Sequence, residues 1–499
     1  MPERFEDRIG LYSLTALAAG LVIARACLQS ITIDEANTGL DFVSGPTGIH
    51  WYPSSGNHVL YSALARLTTT IFGLSELSMR MPAILGALMY VGAALYSCVL
   101  VSSRTILRIP LFLCLVYNPM VLDYLVAARG YSLAIGFLFA ALALITAAVI
   151  SGAEPTRCLS RACLASVFLG LSFSANFSFA YVDAITILFF FVWAFRSAAR
   201  WKFGYVRLAL YCFLPGLVVA FVICGPTVWQ FPRSQLYFGS QSLTEMWHSM
   251  MSPTFDDLNP NVFNPWMLIL FGKLRSKLPW LNVIFGLLLV LSVEAARLRA
   301  RKPNHALTTM VRMFAGIGLV TFALHWLAFF FAHIPLPSGR TGLFFVLLWP
   351  LAFGTALAMR FERPRAGVLG LCALAVLIAT AAYFTGCLRL LHFKEWQFDT
   401  DTKQIYWTVA DLRQRCGIAN FDIDWRYSSA VDFYRLAYHN TALPNFPADE
   451  TGKPPLDRDG YVIYFPNSED FVKQQHLQVV YHNQETDSAV AIRRCPGAN

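Results

Sequence analysis

Between Ile9 and Leu388 the chain returns repeatedly to apolar runs of roughly 18 to 25 residues, each long enough as a helix to cross about 30 Å of hydrocarbon. Of its 499 residues, 56% are hydrophobic and only 14% charged, where soluble domains carry about 25% charged residues. The pattern predicts an α-helical polytopic membrane protein with about eleven transmembrane helices. The expected spans are Ile9–Leu28, Met79–Val101, Ile106–Val126, Tyr131–Ile150, Ala162–Tyr181, a short Asp183–Phe195, Val206–Val228, Leu278–Ala296, Met313–Phe331, Leu343–Met359 and Val368–Leu388. The first is too long for a signal-peptide core and lacks a clear small-residue cleavage site, so it reads as a retained span.

From Arg389 to Asn499 the apolar runs stop, and turn residues, charges and short strand-like segments take over. The expected division is a membrane domain over 1–388, with long outer loops 29–78 and 229–277, and a small C-terminal α/β domain over 389–499. In the latter, residues 401–415 and 429–437 read as helical, and 421–425, 461–465, 477–481 and 489–493 as strands. There is no GxxxxGK, and no GxGxxG in a strand–helix context, so ATP or dinucleotide chemistry is not expected.

Charge sets the orientation. The formal net charge of +9 lies mostly in short clusters between spans, which is a positive-inside pattern and not a nucleic-acid stripe. One set of loops holds Arg4, Arg8, Arg104, Arg108, Arg157, Arg161, Arg196, Arg200, Lys202, Arg207, Arg297, Arg299, Arg301, Lys302, Arg312, Arg360, Arg363 and Arg365. The other holds only Arg66, Arg80, Arg129, Arg233, Lys273, Arg275, Lys277 and Arg340. That bias of roughly two to one predicts a cytoplasmic N-terminus, and an odd number of spans then puts the C-terminal domain outside. Of the 11 cysteines, most sit in or beside spans as small hydrophobes. Only Cys416 and Cys495 lie in the terminal domain, where a disulfide or two free thiols are both open.

The polar residues worth singling out cluster in the outer loops. Asp34 and Glu35 follow the first span. A carboxylate there suits a general base for an acceptor hydroxyl, or a divalent metal; the bland alternatives are a solvated pair, or Asp34 as an N-cap. His50, Trp51 and Tyr52, then Asn57 and His58, line the same loop, as either a sugar-binding surface or an interfacial aromatic belt. Arg129 and Tyr131 open the fourth span, and Arg340 sits in a tight turn before the tenth. An arginine at the membrane rim either binds a lipid phosphate bidentately or snorkels toward headgroups. Asp123, Asp183 and His325 are ionisable groups near or within spans.

These features occur together and in order. With Asn57-His58-Val59-Leu60-Tyr61, Ser78-Met79-Arg80-Met81-Pro82-Ala83, Ala128-Arg129-Gly130-Tyr131-Ser132 and Gly339-Arg340-Thr341, the chain resembles the GT-C superfamily of membrane glycosyltransferases. It is most similar to bacterial relatives of the protein O-mannosyltransferases and the lipid A aminoarabinose transferase. The resemblance implies inverting sugar transfer from a polyprenyl-phosphate-linked donor at the extracytoplasmic face of a bacterial inner membrane. The catalytic residues would be Asp34, as base, with Glu35; the substrate-binding residues would be His50, Tyr52, Asn57, His58, Arg80, Arg129, Tyr131 and Arg340. No cofactor is required; a divalent metal, if used, would fall on Asp34 and Glu35. The aminoarabinose transferases carry Lys-Pro-Pro-Leu where this chain has Asn57-His58-Val59-Leu60, which shifts the expected donor contact to His58, Arg129 and Arg340. Membrane lipids and the lipid-linked donor are the expected partners; the acceptor, whether protein, lipid A, polysaccharide or another lipid, is open. A secondary transporter or lipid flippase is the competing class, and it calls for midplane binding groups, interrupted spans and internal repeats.

Overall fold

The computed structural model describes residues 5–152, 155–198, 204–299, 305–362, 366–446 and 455–495. Of the cations used for orientation, Arg4, Arg200, Lys202, Arg301, Lys302, Arg363 and Arg365 lie outside the described residues. Among the described residues 10 helices are long and apolar enough to cross a membrane, or 11 crossings if one bent pair counts as a single span. With the small C-terminal sheet, this is the helical polytopic architecture that the apolar runs predict.

In chain order the first helices are α1 (Phe5–Leu28), α2 (Ile33–Thr38), α3 (Val59–Phe72), α4 (Glu76–Val101), α5 (Thr105–Val116), α6 (Pro119–Val126), α7 (Tyr131–Ser151), α8 (Pro155–Ala175), α9 (Ala180–Ala198) and α10 (Tyr205–Gln230). There follow α11 (Leu243–Thr254), α12 (Pro265–Leu274), α13 (Leu278–Arg299), α14 (His305–Ala332), α15 (Leu343–Phe361) and α16 (Gly367–Gly386). The two long loops 29–78 and 229–277 are thus not structureless, since they hold the short apolar helices α3 and α12 as well as α2 and α11.

Several spans differ from expectation; α14, for one, starts at His305 and not at Met313. The stretch Ile106–Val126 is not one helix: α5 and α6 meet at 55°. Pro119 has no N–H to continue the ladder, and Asn118 instead starts a new helix, its side chain accepting from Val121 N at 3.3 Å. The expected Ala162–Tyr181 begins earlier, at Pro155, and ends at Ala175. Asn176 stops it there and accepts from Ser178 N at 3.0 Å, which lets α9 start at Ala180 and reach full length. Hydropathy alone slides across a single capping asparagine, so the boundary is hidden from it.

Small residues bring helices into backbone contact. A Cβ on Gly136 of α7 would lie 2.5 Å from Gly86 O on α4. The tightest approach is at Gly130, just before α7, where a Cβ would stand 1.8 Å from Ala175 O and 2.8 Å from His58 Cβ. Gly130 therefore lets the start of α7, the end of α8 and the start of α3 converge.

Beyond α16 the chain forms α17 (Thr402–Cys416), β1 (Phe421–Ile423), α18 (Trp425–Ala437), β2 (Gly460–Tyr464), α19 (Phe465–Gln474), β3 (Gln478–Asn483) and β4 (Ser488–Ile492). The sheet order is β1-β2-β4-β3, with β1 and β2 parallel and the other pairs antiparallel. Helix α19 was not expected from the sequence. Cys416 and Cys495 are bonded, with Cα atoms 4.9 Å apart, tying the end of α17 to the segment after β4.

The domain rests directly on the loop after α1. Ile31 N donates to Tyr434 Oη at 2.9 Å, Ile33 N to Asp399 Oδ2 at 2.8 Å, and Ser30 Oγ to Thr400 O at 2.8 Å. Gly39 meets the Phe433 ring, where a Cβ would lie 3.2 Å away. Burial pushes the Asp399 carboxyl well above the ordinary range; the bond from Ile33 opposes this, and Glu35, Asp34 and Asp401 add to it.

Gly130→Ala is expected to lower the thermal unfolding temperature of the purified protein, because overpacking typically costs about 1–3 kcal/mol. Gly20→Ala, whose added methyl would meet nothing within 4 Å, serves as the control and is expected to leave the midpoint in place. Equal midpoints for both variants would contradict the packing described at Gly130.

Candidate active site

The site grows from the way the chain turns after α1. Thr32 caps α2: its side chain accepts from Glu35 N at 3.2 Å, and Glu35 Oε2 accepts from Thr32 N at 2.9 Å. This reciprocal pair is a capping box. The cap is therefore Thr32 and not Asp34. It also fixes where the two acids point, and they part company.

Glu35 is completely buried and faces Arg80, also completely buried. Arg80 Nε lies 2.8 Å from Oε1 and Nη2 2.6 Å from Oε2, a bidentate pair. The remaining Arg80 donors reach Ala26 O (3.1 Å), Gln29 O (2.7 Å) and Ser30 O (2.7 Å), satisfying carbonyls that the end of α1 would otherwise leave open. Glu35 Oε1 also accepts from Ala128 N at 2.6 Å. The pair thus joins α1, α2, α4 and the turn between α6 and α7. Neither side chain keeps a face for a substrate, so the expected catalytic share of Glu35 and the expected substrate contact of Arg80 give way to a structural role.

Asp34 points the other way, with 21% of its side chain exposed. Arg340 Nη1 stands 2.8 Å from its Oδ2, and Arg129 Nη1 stands 3.8 Å from the same oxygen. Arg129 also donates to Asp34 O at 3.2 Å. The first-loop acid and the two rim arginines, far apart in the sequence, do meet. Neither arginine snorkels freely: Arg129 is buried, and Arg340 lies over the Phe238 and Trp396 rings, at 4.8 and 5.8 Å.

His58 and Tyr131 complete this floor, their rings 5.2 Å apart. Burial, then Arg129 and Arg340, hold the His58 imidazole well below its ordinary pKa, so it is neutral. At this site His58 Nε2, Arg129 Nε and Asp34 Oδ2 are buried with no hydrogen-bond partner among the described residues, Oδ2 meeting Arg340 only as an ion pair; buried polar atoms normally find a partner. Asn57, by contrast, is spent on the loop itself: its amide donates to His50 O (2.8 Å) and Tyr52 O (2.9 Å), and its oxygen accepts from Ser62 Oγ (2.8 Å). His50 packs on Trp51 with ring centroids 4.5 Å apart, and Tyr52 stacks on Phe42 at 6.4 Å. Asn57, His50 and Tyr52 shape the loop, and none of them is hydrogen-bonded or ion-paired to Asp34, Arg129 or Arg340.

Glu395 was not expected. Its Oε1 accepts from Arg340 Nη1 at 2.7 Å, and its Oε2 from the Tyr124 hydroxyl. It lies just past the last span, between Lys394 and Trp396. The signal was available: like Asp34, it is an acid in the segment that follows a span, here beside Trp396 and near Phe393. Asp123 pairs with Arg25, in the last turn of α1, at 2.5 Å and accepts from Lys394 N at 2.7 Å. That anchors the segment bearing Glu395.

Beside this cluster lies an apolar cavity of about 470 Å³ among α5, α11, α13, α14, α15 and α16, walled by residues such as Met246, Met250, Phe314, Phe345, Trp349 and Phe384. Helix α11 separates it from the arginine turn and touches both: Gly339 N donates to Ser249 Oγ at 2.9 Å, and Met250 packs against Gly342. As for a divalent ion, Asp34 and Glu35 turn to different arginines, and among the described residues no three His, Cys, Asp or Glu converge as ligands. The two acids do not fit a metal site.

Neither a family model nor a curated protein sequence matches the chain. Among solved structures, it is similar to ArnT from Cupriavidus metallidurans bound to undecaprenyl phosphate, at 13% identity and a TM-score of 0.43, with 98% of each chain covered. The apo state of the same protein gives 12% identity and a TM-score of 0.41. Arabinosyltransferase EmbB from Mycobacterium smegmatis gives 14% and 0.41, covering 70% of this chain and 30% of that one.

Breaking a buried ion pair from one side strands the other charge and costs about 3–5 kcal/mol. Glu35→Gln and Arg80→Met are therefore each expected to lower the unfolding temperature strongly, and Asp34→Asn to leave it nearly unchanged. Thermal unfolding of the three purified variants checks this; an Asp34→Asn protein as unstable as Glu35→Gln would contradict the division of labour.

Proposed function

We propose that the chain is a glycosyltransferase that moves a sugar from a polyprenyl-phosphate-linked donor to an acceptor hydroxyl at the extracytoplasmic face of the bacterial inner membrane. The observation that carries the reading is the Asp34 carboxylate held between Arg340 and Arg129 at the span ends, beside an apolar cavity.

Each part has a chemical use. The donor phosphate sits at headgroup depth, where Arg340 and Arg129 offer fixed positive charge, and charge-assisted bonds from arginine to phosphate are strong ones. The prenyl chain would lie in the 470 Å³ cavity, within the size range of about 300–1,000 Å³ usual for ligand pockets. Phosphate and Asp34 compete for the same guanidiniums. Donor binding would therefore draw Arg340 off Asp34 and leave that carboxylate free to act as base.

The acceptor oxygen then attacks the anomeric carbon from the face opposite the phosphate. Its proton passes to Asp34, the bond from the anomeric carbon to the phosphate oxygen breaks, and polyprenyl phosphate leaves with the electron pair. The configuration inverts. Guanidiniums fixed where negative charge develops stabilise that step without reorganising. No metal has a part in this scheme. A transporter or flippase would place its binding groups at the membrane midplane, whereas the charged cluster here joins the ends of α1, α4, α7 and α15.

The orientation in this reading is N-terminus inside and C-terminal domain outside. The Cys416–Cys495 bond supports it, since disulfides persist in oxidising compartments. A reporter active only in the cytoplasm, fused after Asn499, is expected to be silent; activity there would invert the map.

With a purified lipid-linked donor, Asp34→Asn is expected to lose about 10²–10⁴ in turnover, the usual contribution of a positioned base, while still binding polyprenyl phosphate. Arg340→Ala is expected to raise the KM for donor. Transfer by Asp34→Asn at near wild-type rate would remove Asp34 as the base.

A further inference from the structure

Glu395 takes no part in the proton transfer assigned to Asp34, yet it occupies the same arginine. Arg340 Nη1 is 2.8 Å from Asp34 Oδ2 and 2.7 Å from Glu395 Oε1. Two carboxylates meet on one nitrogen. The charged and titratable groups facing Glu395 come from every side: Asp34 on α2, Asp123 and Tyr124 on α6, Arg340 before α15, and Lys394 beside it. The Lys394 ammonium is turned away, to Asp256 at 2.8 Å and Asp257 at 3.3 Å.

The charge balance is tight. With both acids ionised, the group of Arg340, Arg129, Asp34 and Glu395 carries no net charge, and His58 adds none. A phosphate added to it leaves a net negative cluster unless one carboxylate departs or takes a proton. Asp34 has the acceptor to serve. Glu395 is held in place by Tyr124 and keeps 41% of its side chain accessible, so a ligand reaches it. Although 41% of the side chain is accessible, the protein crowding its carboxyl partly desolvates it; that, then repulsion from Asp34 and Asp123, pushes the carboxyl up to about 8.

We propose that Glu395 is a donor-binding residue that meets the lipid-linked phosphate as a neutral acid, its carboxyl O–H donating a hydrogen bond to a phosphate oxygen beside Arg340. No bond is made or broken in this step. A neutral donor adds a contact without adding repulsion, while an ionised Glu395 would oppose the same phosphate. The inference rests on the polyprenyl-phosphate reading of the site and adds a pH dependence to it: donor affinity is present below the Glu395 pKa and lost as pH rises through it.

The test is binding of a polyprenyl monophosphate to the full-length protein in detergent, wild type against Glu395→Gln, at pH 7 and pH 9. The amide cannot ionise, so the ratio of variant to wild-type affinity is expected to rise about tenfold between the two pH values, as a carboxyl titrating near 8 loses its proton. Ionisation of the lipid phosphate is common to both proteins and cancels in the ratio. A ratio independent of pH overturns the role of Glu395 while leaving the donor reading standing. A wild-type protein that binds no polyprenyl phosphate at either pH removes both. Should Glu395→Gln not fold, Tyr124→Phe takes its place: without the hydroxyl that stabilises the ionised carboxylate, the midpoint of the affinity profile is expected to move to higher pH, and an unmoved midpoint overturns the proposal.

Discussion

The buried pair of Glu35 and Arg80 is the interaction on which the rest of the site depends. A bidentate carboxylate–guanidinium contact with no solvent exposure is costly to desolvate, and it is tolerable only when every remaining donor finds an acceptor. Arg80 meets that condition with three carbonyls around the end of α1, and Glu35 with Thr32 N and Ala128 N. The satisfaction of these groups fixes α2 against α1, α4 and the start of α7. Once α2 is fixed, the residue before Glu35 has one direction left, and Asp34 faces the two arginines.

The C-terminal domain holds the same segment from the other side. Tyr434, Asp399 and Thr400 bond to Ile31, Ile33 and Ser30, so the loop carrying Asp34 is clamped between the membrane bundle and the sheet domain. The linker between them supplies Glu395, anchored through Asp123 and Arg25. A domain that looks appended in sequence is thus built into the wall of the site. In the proposed transfer such preorganised charge would need little rearrangement beyond opening of the Asp34–Arg340 contact.

Much of the fold was legible because apolar runs report span length directly. Most of the expected spans sit where helices lie, and the exceptions are instructive. Asn118-Pro119 broke a span and Asn176 moved a boundary, and both act through a local backbone bond that a hydropathy average does not register. Asp34, Arg129, Arg340, His58 and Tyr131 were named from sequence and come together, since polar residues at the same ends of neighbouring spans share one plane. Arg80 and Glu35 were legible as a pair of charges but not as each other's partner, because burial is not written in a loop motif. Asn57, His50 and Tyr52 belong to the shaping of the loop. Glu395 was passed over because it fell on the far side of a domain boundary drawn by composition, though its setting repeats that of Asp34.

The account turns on one exchange: a lipid phosphate taking Arg340 from Asp34. A structure of the full-length protein with polyprenyl phosphate bound tests it most directly. The expected result is phosphate oxygens within hydrogen-bonding distance of Arg340 and Arg129, the prenyl chain in the cavity beside α11, and Asp34 parted from Arg340. Phosphate bound elsewhere, with the 2.8 Å contact between Asp34 and Arg340 intact, would contradict it.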